Sequence, residues 1–176
     1  IDDLVQRLTS FKPTERMLVG TAFHKALETA REGDHGILQA NGYTFVCEDG
    51  TLALPAIREL RTSRHYGDVE VTGQVDILDG RAVDDHKTTA SMDAERYFDG
   101  FQWRFYLDML DADEFRWNVF KLLPPRVKDP PKQCRVAAPQ VLKQYRYPGM
   151  HEDCERLAAD FHAFATAHMP GWNAQV

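Results

Sequence analysis

A change of hydrophobic period near residue 69 is the feature that most limits what this chain can fold into. Apolar and polar side chains alternate over residues 69–77, and a period of two is typical of a half-buried β-strand. Asp79-Gly80 is a two-residue hairpin signal, and residues 81–87 supply the predicted returning strand. With Asp79-Gly80 as the turn, Leu78 pairs with Arg81. The sequence therefore predicts an antiparallel hairpin near the middle of the chain.

The hairpin brings three charged side chains together. In the predicted register Asp76, Asp85 and Lys87 share one face, and the two aspartates are diagonal neighbours with Cβ atoms about 5–8 Å apart. Two carboxylates at that spacing can share one hard divalent cation. The alternative is an exposed salt-bridge ladder, although the Val- and Ile-rich opposite face favours central strands, where charge seldom goes unpaired. Asp84 and His86 alternate to the other face, so their side chains are excluded from the predicted site.

Helices flank this hairpin in the sequence. Helical periodicity predicts a helix between Pro13-Thr14 and Gly33, a second from about residue 93 to 110, and a third from about residue 152 to 168. Further short strands are predicted at 43–47, 116–123 and 135–137. The 176 residues contain no internal repeat and no long linker. We therefore expect a single domain over residues 1–176, an α/β fold with a central mixed β-sheet flanked by helices.

The predicted helices carry apolar stripes. The stripe of the second helix consists of Phe98, Phe101, Phe105 and Met109, and that of the third of Leu157, Phe161, Phe164 and Ala165. In the first helix Met17, Gly20, His24 and Leu27 fall on one face, and Gly20 is expected to let this helix approach the sheet closely. A histidine in such a stripe is either a hydrogen-bonded core residue or a metal ligand.

Composition limits the class of protein and the compartment that we expect. The sequence is 43% hydrophobic and 27% charged, which is ordinary for a globular protein, and no apolar run is long enough to cross a bilayer. We therefore expect no membrane partner. Cys47, Cys134 and Cys154 are too few and too scattered for a disulfide framework, so a reducing, cytoplasmic setting is the expectation.

Charge is distributed unevenly. A net charge of −6 argues against nucleic acid when it is averaged over the chain. Residues 116–146 nevertheless contain eight basic residues and one acid, a net charge of +7. This basic window includes the proline-rich sequence PPRVKDPPK, for which we predict an extended, exposed loop. The loop is either a solvated surface connection or an arm that follows phosphates, in which case Arg126, Lys128 and Lys132 are its candidate contacts.

Four strings in this order resemble the motifs of a known family: GTAFHKALE (20–28), GQVDIL (73–78), VDDHKTT (83–89) and QWRFY (102–106). They are similar to the motifs of the PD-(D/E)xK nuclease superfamily, and the nearest branch is the RecB-type nucleases, which include phage recombination exonucleases. The resemblance covers about residues 17–110 and implies a restriction-endonuclease-like core. The third motif reads Asp-His-Lys here rather than Glu-x-Lys, a departure that this branch tolerates.

The resemblance also implies roles for individual residues. The implied metal ligands are His24, Asp76, Asp85 and the backbone carbonyl of His86, holding one or two Mg²⁺ or Mn²⁺ ions. Asp76, Asp85 and Lys87 are the implied catalytic residues, with Lys87 next to the attacking water. Gln102 and Tyr106 are implied substrate contacts, although both could merely pack in the core. Glu28, one helical turn beyond His24, either supports the site or is solvated.

The resulting functional expectation is a metal-dependent DNA nuclease, an exonuclease in recombination or repair. The alternatives are a structure-specific endonuclease or resolvase, a non-catalytic DNA-binding subunit with a nuclease-like fold, and a metal protein acting on a small molecule. DNA is the expected partner, and a recombination or helicase partner or a homo-oligomer remains open. Iron–sulfur members of the branch need four cysteines, so no cluster is expected in this chain.

Overall fold

The computed structural model describes residues 12–31, 34, 36–48, 57–89, 94–123, 130 and 132–169. In these residues the strands are β1 (Ile37–Ala40), β2 (Tyr43–Cys47), β3 (Ile57–Tyr66), β4 (Val69–Asp79), β5 (Ala82–Thr89), β6 (Glu114–Leu123), β7 (Gln133–Val136) and β8 (Gln140–Tyr145). The helices are α1 (Glu15–Thr29), α2 (Glu95–Phe98), α3 (Gln102–Met109) and α4 (Met150–His168). Within the same residues no helix combines the length and apolar character needed to cross a bilayer.

All of these strands belong to one mixed sheet. Its order is β1-β2-β7-β6-β5-β4-β3, and β8 pairs with β6 outside this path. The β2–β7 and β5–β6 pairs are parallel, and the other pairs are antiparallel. The predicted α/β class with a central mixed sheet is therefore confirmed.

Two apolar clusters cover the two faces of the sheet. One contains α1 residues such as Phe23 packed on β1, β2, β7 and Phe120, and the other contains α3 and α4 packed on β4, β5 and residues such as Val119. Val119 and Phe120 are adjacent on β6, and side chains alternate along a strand, so the two clusters lie on opposite faces. Helices therefore flank the sheet on both sides.

The predicted hairpin exists, but its register is wrong. Asp79 pairs with Ala82 and Leu78 with Val83, so the turn is Gly80-Arg81 rather than Asp79-Gly80. Gly80 has φ +60°, and glycine at the first turn position is typical of the type II′ hairpin turn, because glycine adopts positive φ without a steric cost. Arg81 completes the turn, and its carbonyl accepts hydrogen bonds from the Asp113 and Glu114 backbone N–H groups. Asp76 and Asp85 are consequently not the diagonal pair that was predicted.

The helix boundaries agree with the sequence only in part. Thr14 caps α1 as predicted, its Oγ1 accepting from Met17 N. The predicted helix 93–110 is two helices, α2 and α3, so its four apolar residues do not form one continuous stripe. Phe101, in the break between them, is 52% exposed, and Phe161 on α4 is 42% exposed. Small residues of α4 such as Ala158 are buried instead, because α4 packs closely on the sheet.

A buried carboxylate ties α3 to the sheet and to α4. Asp108 has 0% exposure. It accepts hydrogen bonds from Arg64 Nη1 at 2.9 Å, Tyr66 Oη at 2.8 Å and Arg146 Nη2 at 3.2 Å, and His151 Nδ1 lies 2.9 Å away. We call these five residues the Asp108 network. It supplies the partners that a buried carboxylate requires.

Candidate active site

The site lies where β4 and β5 stop pairing. Their ladder extends only from Asp79–Ala82 to Ile77–Asp84, and beyond it β5 continues along β6. The Asp76 carboxylate fills the gap, because its Oδ2 accepts a hydrogen bond from the His86 backbone N–H at 2.5 Å. The divergence of the two strands thus exposes backbone and carboxylate groups at one point of the sheet.

Helix α1 brings His24 to the same point. A Cβ added to Gly20 would lie 2.6 Å from Thr88 Oγ1 on β5, so only glycine allows this approach, as the sequence predicted. One turn later His24 Nδ1 lies 3.9 Å from Asp76 Oδ2. Burial lowers the pKa of His24, although the Asp76 charge opposes this shift. His24 is therefore a neutral imidazole at neutral pH, the form that can bind a metal.

Asp85 and Lys87 form the charged centre of the site. Lys87 Nζ donates to Asp85 Oδ1 at 2.9 Å. It also lies 2.7 Å from Oδ2, but without hydrogen-bond geometry, so the buried Oδ2 has no hydrogen-bond partner in the described structure. Burial raises the pKa of Asp85 to about 6, Lys87 opposes the shift, and Asp76 adds to it. A buried carboxylate oxygen with spare capacity is chemically suited to a cation.

The His86 side chain belongs to this site, and its exclusion on strand alternation is wrong. His86 Nδ1 lies 3.8 Å from Asp76 Oδ2, and the His86 and His24 rings are 6.4 Å apart in an edge-to-face arrangement. Burial lowers the pKa of His86 to about 4. Alternation failed as a guide here because the β4–β5 ladder ends at Asp84, two residues before His86.

Glu59 is a second residue that sequence reasoning missed. It has φ +55° on β3, a conformation uncommon outside glycine. Burial raises the pKa of Glu59, and the nearby charges of Asp76 and Glu28 add to the shift. Glu28 itself is bound by Lys25 Nζ at 2.6 Å. Nothing in the sequence marked Glu59, because residues 56–66 lacked a clear period.

The two α3 candidates occupy different positions. Tyr106 is 8% exposed, and its hydroxyl donates to the Gln74 carbonyl at 2.9 Å. Its ring lies against Gly73, where an added Cβ would be 2.3 Å from Cε1. Tyr106 thus fixes β4 immediately before Asp76. Gln102 is exposed at the start of α3, and its contact with substrate stays a prediction.

Much of the basic window is neutralised within the fold. Four of its members are ion-paired, namely Arg116 with Asp79 and Asp84, Arg135 with Glu48, Lys143 with Glu114, and Arg146 with Asp108 and Asp111. Lys132 lies over the Tyr43 ring at 5.6 Å. Arg126 and Lys128 lie outside the described residues. The net charge of the window therefore overstates the charge it offers to a polyanion.

The side chains of the site are of the kinds that bind a divalent cation, but they do not already surround one point. Among the described residues no three His, Cys, Asp or Glu side chains converge closely enough to hold a metal. The donor set is nevertheless appropriate, because a neutral imidazole, the Asp76 carboxylate and Asp85 Oδ2 are ligands that Mg²⁺ and Mn²⁺ accept.

A protein-family model matches most of the chain. Residues 43–173 match the model of the PD-(D/E)XK nuclease superfamily. The chain belongs to the PD-(D/E)XK nuclease superfamily. The matched residues include Asp76, Asp85 and Lys87, whereas His24 precedes them. Members of the superfamily are nucleases that typically use divalent metal ions, and the mixed sheet with flanking helices is its restriction-endonuclease-like core.

A solved structure supports the same fold. The crystal structure of SSO0001 matches with a TM-score of 0.51 and 16% sequence identity, covering 92% of this chain and 67% of that one. At this identity the likeness concerns the fold. No curated protein matches the chain.

Proposed function

We propose that this member of the superfamily is a metal-dependent DNA nuclease, an exonuclease of the RecB-like branch acting in DNA recombination or repair. The observation that carries the proposal is Asp85, a buried carboxylate close to Asp76 that Lys87 holds through Oδ1 and whose Oδ2 has no hydrogen-bond partner in the described structure. Lys87 Nζ lies 2.7 Å from Oδ2, and a cation bound beside it would supply the coordination that the hydrogen bonds of the fold leave open.

The proposed ligands of the ion are His24, Asp76, Asp85 and the His86 carbonyl. A bound Mg²⁺ or Mn²⁺ would polarise the scissile phosphate and lower the pKa of a water molecule. The imidazoles of His24 and His86 are kept neutral by burial, so neither competes with the cation through a positive charge.

Lys87 is the side chain proposed to act on the attacking water and on the phosphate. Its ammonium group is oriented by Asp85 Oδ1, leaving further N–H donors for the attacking water and for the phosphate oxygens. Charge that develops on the phosphate is then stabilised by a group already in place, which costs no reorganisation. Asp76, bound to the His86 N–H, is held in position in the same way.

Substrate contacts are proposed at Gln102, Lys132, Arg126 and Lys128, with Tyr106 positioning β4. Contacts of this kind to phosphates fix the nucleic acid without reading its sequence. Glu28, one helical turn beyond His24 and held by Lys25 Nζ, is proposed to support the site from α1.

The test uses end-labelled linear DNA and covalently closed circular DNA with Mg²⁺ or Mn²⁺. We expect the wild-type chain to degrade linear DNA to short products and to leave the circle intact, and we expect Asp85→Ala to leave both substrates intact. Nicking of the circle would favour a structure-specific endonuclease. Binding without metal-dependent cleavage would overturn the proposal in favour of a non-catalytic DNA-binding subunit.

A further inference from the structure

An open polar cleft lies on the outer face of the β3–β4 hairpin. It has a volume of about 590 Å³ and is lined by Arg61, Thr62, Ser63, Thr72, Gly73 and Gln74. We call it the β3–β4 cleft. Four of the six described basic residues of the basic window are ion-paired within the fold, whereas this cleft lies on β4 just before Asp76.

The alternation of β4 explains why this face is open. Val71 and Val75 pack into the cluster formed with α3 and α4, and Gly73 lies against Tyr106 on the same side. Thr72 and Gln74 alternate to the other side and are exposed. The strand pairing places Arg61 directly opposite Gln74, so the arginine lies on the open face as well.

Arg61 differs from the ion-paired arginines of the fold in its partner. Its Nε donates to Gln74 Oε1 at 3.2 Å. In the part of the chain that the structure describes, no carboxylate forms an ion pair with Arg61, whereas Arg64, Arg81, Arg116, Arg135, Arg146 and Arg156 all have one. A guanidinium held by a neutral amide keeps its full charge and its outer N–H groups for an anion.

The arginine is also held in place by a chain of hydrogen bonds. Gln74 Nε2 donates to Glu59 Oε2, which leaves Gln74 Oε1 directed at Arg61. Gln74 precedes Asp76 by two residues, a distance of about 6.6 Å along a strand. Successive phosphates advance by about 3.4 Å per nucleotide along duplex DNA, so Gln74 and the paired Arg61 are separated from Asp76 by about two nucleotide steps.

We propose that the β3–β4 cleft binds the phosphate backbone of the cleaved DNA strand next to the scissile bond, with Arg61 as its charged contact. Ser63 and Thr72, paired across the two strands, supply hydroxyl donors to the same backbone. This inference rests on the proposed nuclease function and adds to it the surface that carries the substrate. Contact of this kind is independent of sequence.

The test is the salt dependence of DNA binding. Binding of a fluorescent DNA strand in EDTA, where cleavage is absent, is measured from about 50 to about 200 mM KCl for wild type, Arg61→Gln and Arg61→Lys. Loss of one phosphate contact should reduce the slope of log K against log salt by about 0.7–0.9. We expect that reduction in Arg61→Gln for every DNA sequence tried, and a slope close to wild type in Arg61→Lys, which keeps the charge.

Arg156→Gln is the matched control, because Arg156 is exposed on α4, the helix that packs on the opposite face of β3 and β4. Its slope should equal that of wild type, and a matching circular dichroism spectrum verifies that each variant is folded. If wild type binds and cleaves DNA while Arg61→Gln keeps the full slope, the cleft assignment is wrong and the proposed function stands. If wild type neither binds nor cleaves DNA, the proposed function fails and the cleft assignment fails with it.

Discussion

Substituting Gly73 tests whether close packing on Tyr106 holds β4 in place just before Asp76. A Cβ at Gly73 would lie 2.3 Å from Tyr106 Cε1 and 3.2 Å from Cζ, well inside the distance of about 3.5–4.0 Å at which carbon atoms attract. The ring has little room to withdraw. It stacks on Phe115 with centroids 6.2 Å apart, and its hydroxyl donates to the Gln74 carbonyl.

The cost of Gly73→Ala follows from these contacts. Forcing an extra carbon into a packed core costs about 1–3 kcal/mol, and losing the Tyr106 hydrogen bond adds about 0.5–1.5 kcal/mol. We therefore expect the free energy of unfolding, measured by urea denaturation, to fall by about 2–4 kcal/mol. Because Asp76 follows three residues later, the rate of DNA cleavage should fall as well, even where the variant is fully folded.

Two controls isolate the packing of the ring. Gly100→Ala places its Cβ 3.5 Å from Tyr97 O, an ordinary contact, and should change stability by less than about 0.5 kcal/mol. In a Tyr106→Leu background the added methyl group has room, so Gly73→Ala should cost at least about 1 kcal/mol less than in wild type. An equal cost in both backgrounds would refute the reasoning.

Three further variants test the charge balance and packing around the site. Burial raises the pKa of Asp85 to about 6, so ionisation of this group destabilises the fold progressively as the pH rises from about 4 to about 6. Asp85→Asn should therefore melt at a higher temperature than wild type near pH 7 but not below about pH 4. A lower Tm than wild type near pH 7 would contradict this. Burial alone would raise the pKa of Asp108, but the hydrogen bonds and charges of the Asp108 network outweigh it and lower that pKa. The ionised Asp108 carboxylate therefore stabilises the fold above about pH 4, and this stabilisation is lost as the pH falls through the lowered pKa. Asp108→Asn should cost about 3 kcal/mol near pH 7 and should reduce the loss of stability in acid; an acid transition identical to that of wild type would count against the network. Gly20→Ala should lower the free energy of unfolding by about 1–3 kcal/mol through its clash with Thr88. Adding Thr88→Ala should restore most of that free energy in a urea titration. If it restores none, the clash does not involve Thr88.

Local patterns in the sequence were enough to predict the centre of the fold. The alternation of residues 69–77 identified β4, and the glycine after Asp79 identified the hairpin. Gly20 was correctly interpreted as a point of close approach between α1 and the sheet. The register was not fixed by the same signals, because Asp79-Gly80 and Gly80-Arg81 both contain the glycine. The choice between them depends on backbone and side-chain partners at Asp111, Asp113 and Glu114, which the hairpin sequence does not contain.

The charged environment was the least predictable part of the site. Arg116 pairs with Asp79 and Asp84, residues more than 30 positions earlier, and such long-range pairs neutralise four of the six described basic residues of the window. The position of the His86 imidazole depended on where the β4–β5 ladder ends. Glu59 depended on a local backbone conformation with no sequence pattern. For the ion pairs and for His86 the deciding contact is tertiary, so local periodicity could not supply it.

The central claim is that Lys87, held by Asp85, takes part in metal-dependent DNA hydrolysis. Its most direct test is the single-turnover cleavage rate of linear DNA with saturating Mn²⁺, compared between wild type, Lys87→Met and Lys143→Met, since Lys143 is an ion-paired lysine of β8. We expect Lys87→Met to cleave more slowly by about 10²-fold or more at unchanged DNA affinity and Lys143→Met to equal wild type. Equal cleavage rates for Lys87→Met and wild type would contradict it.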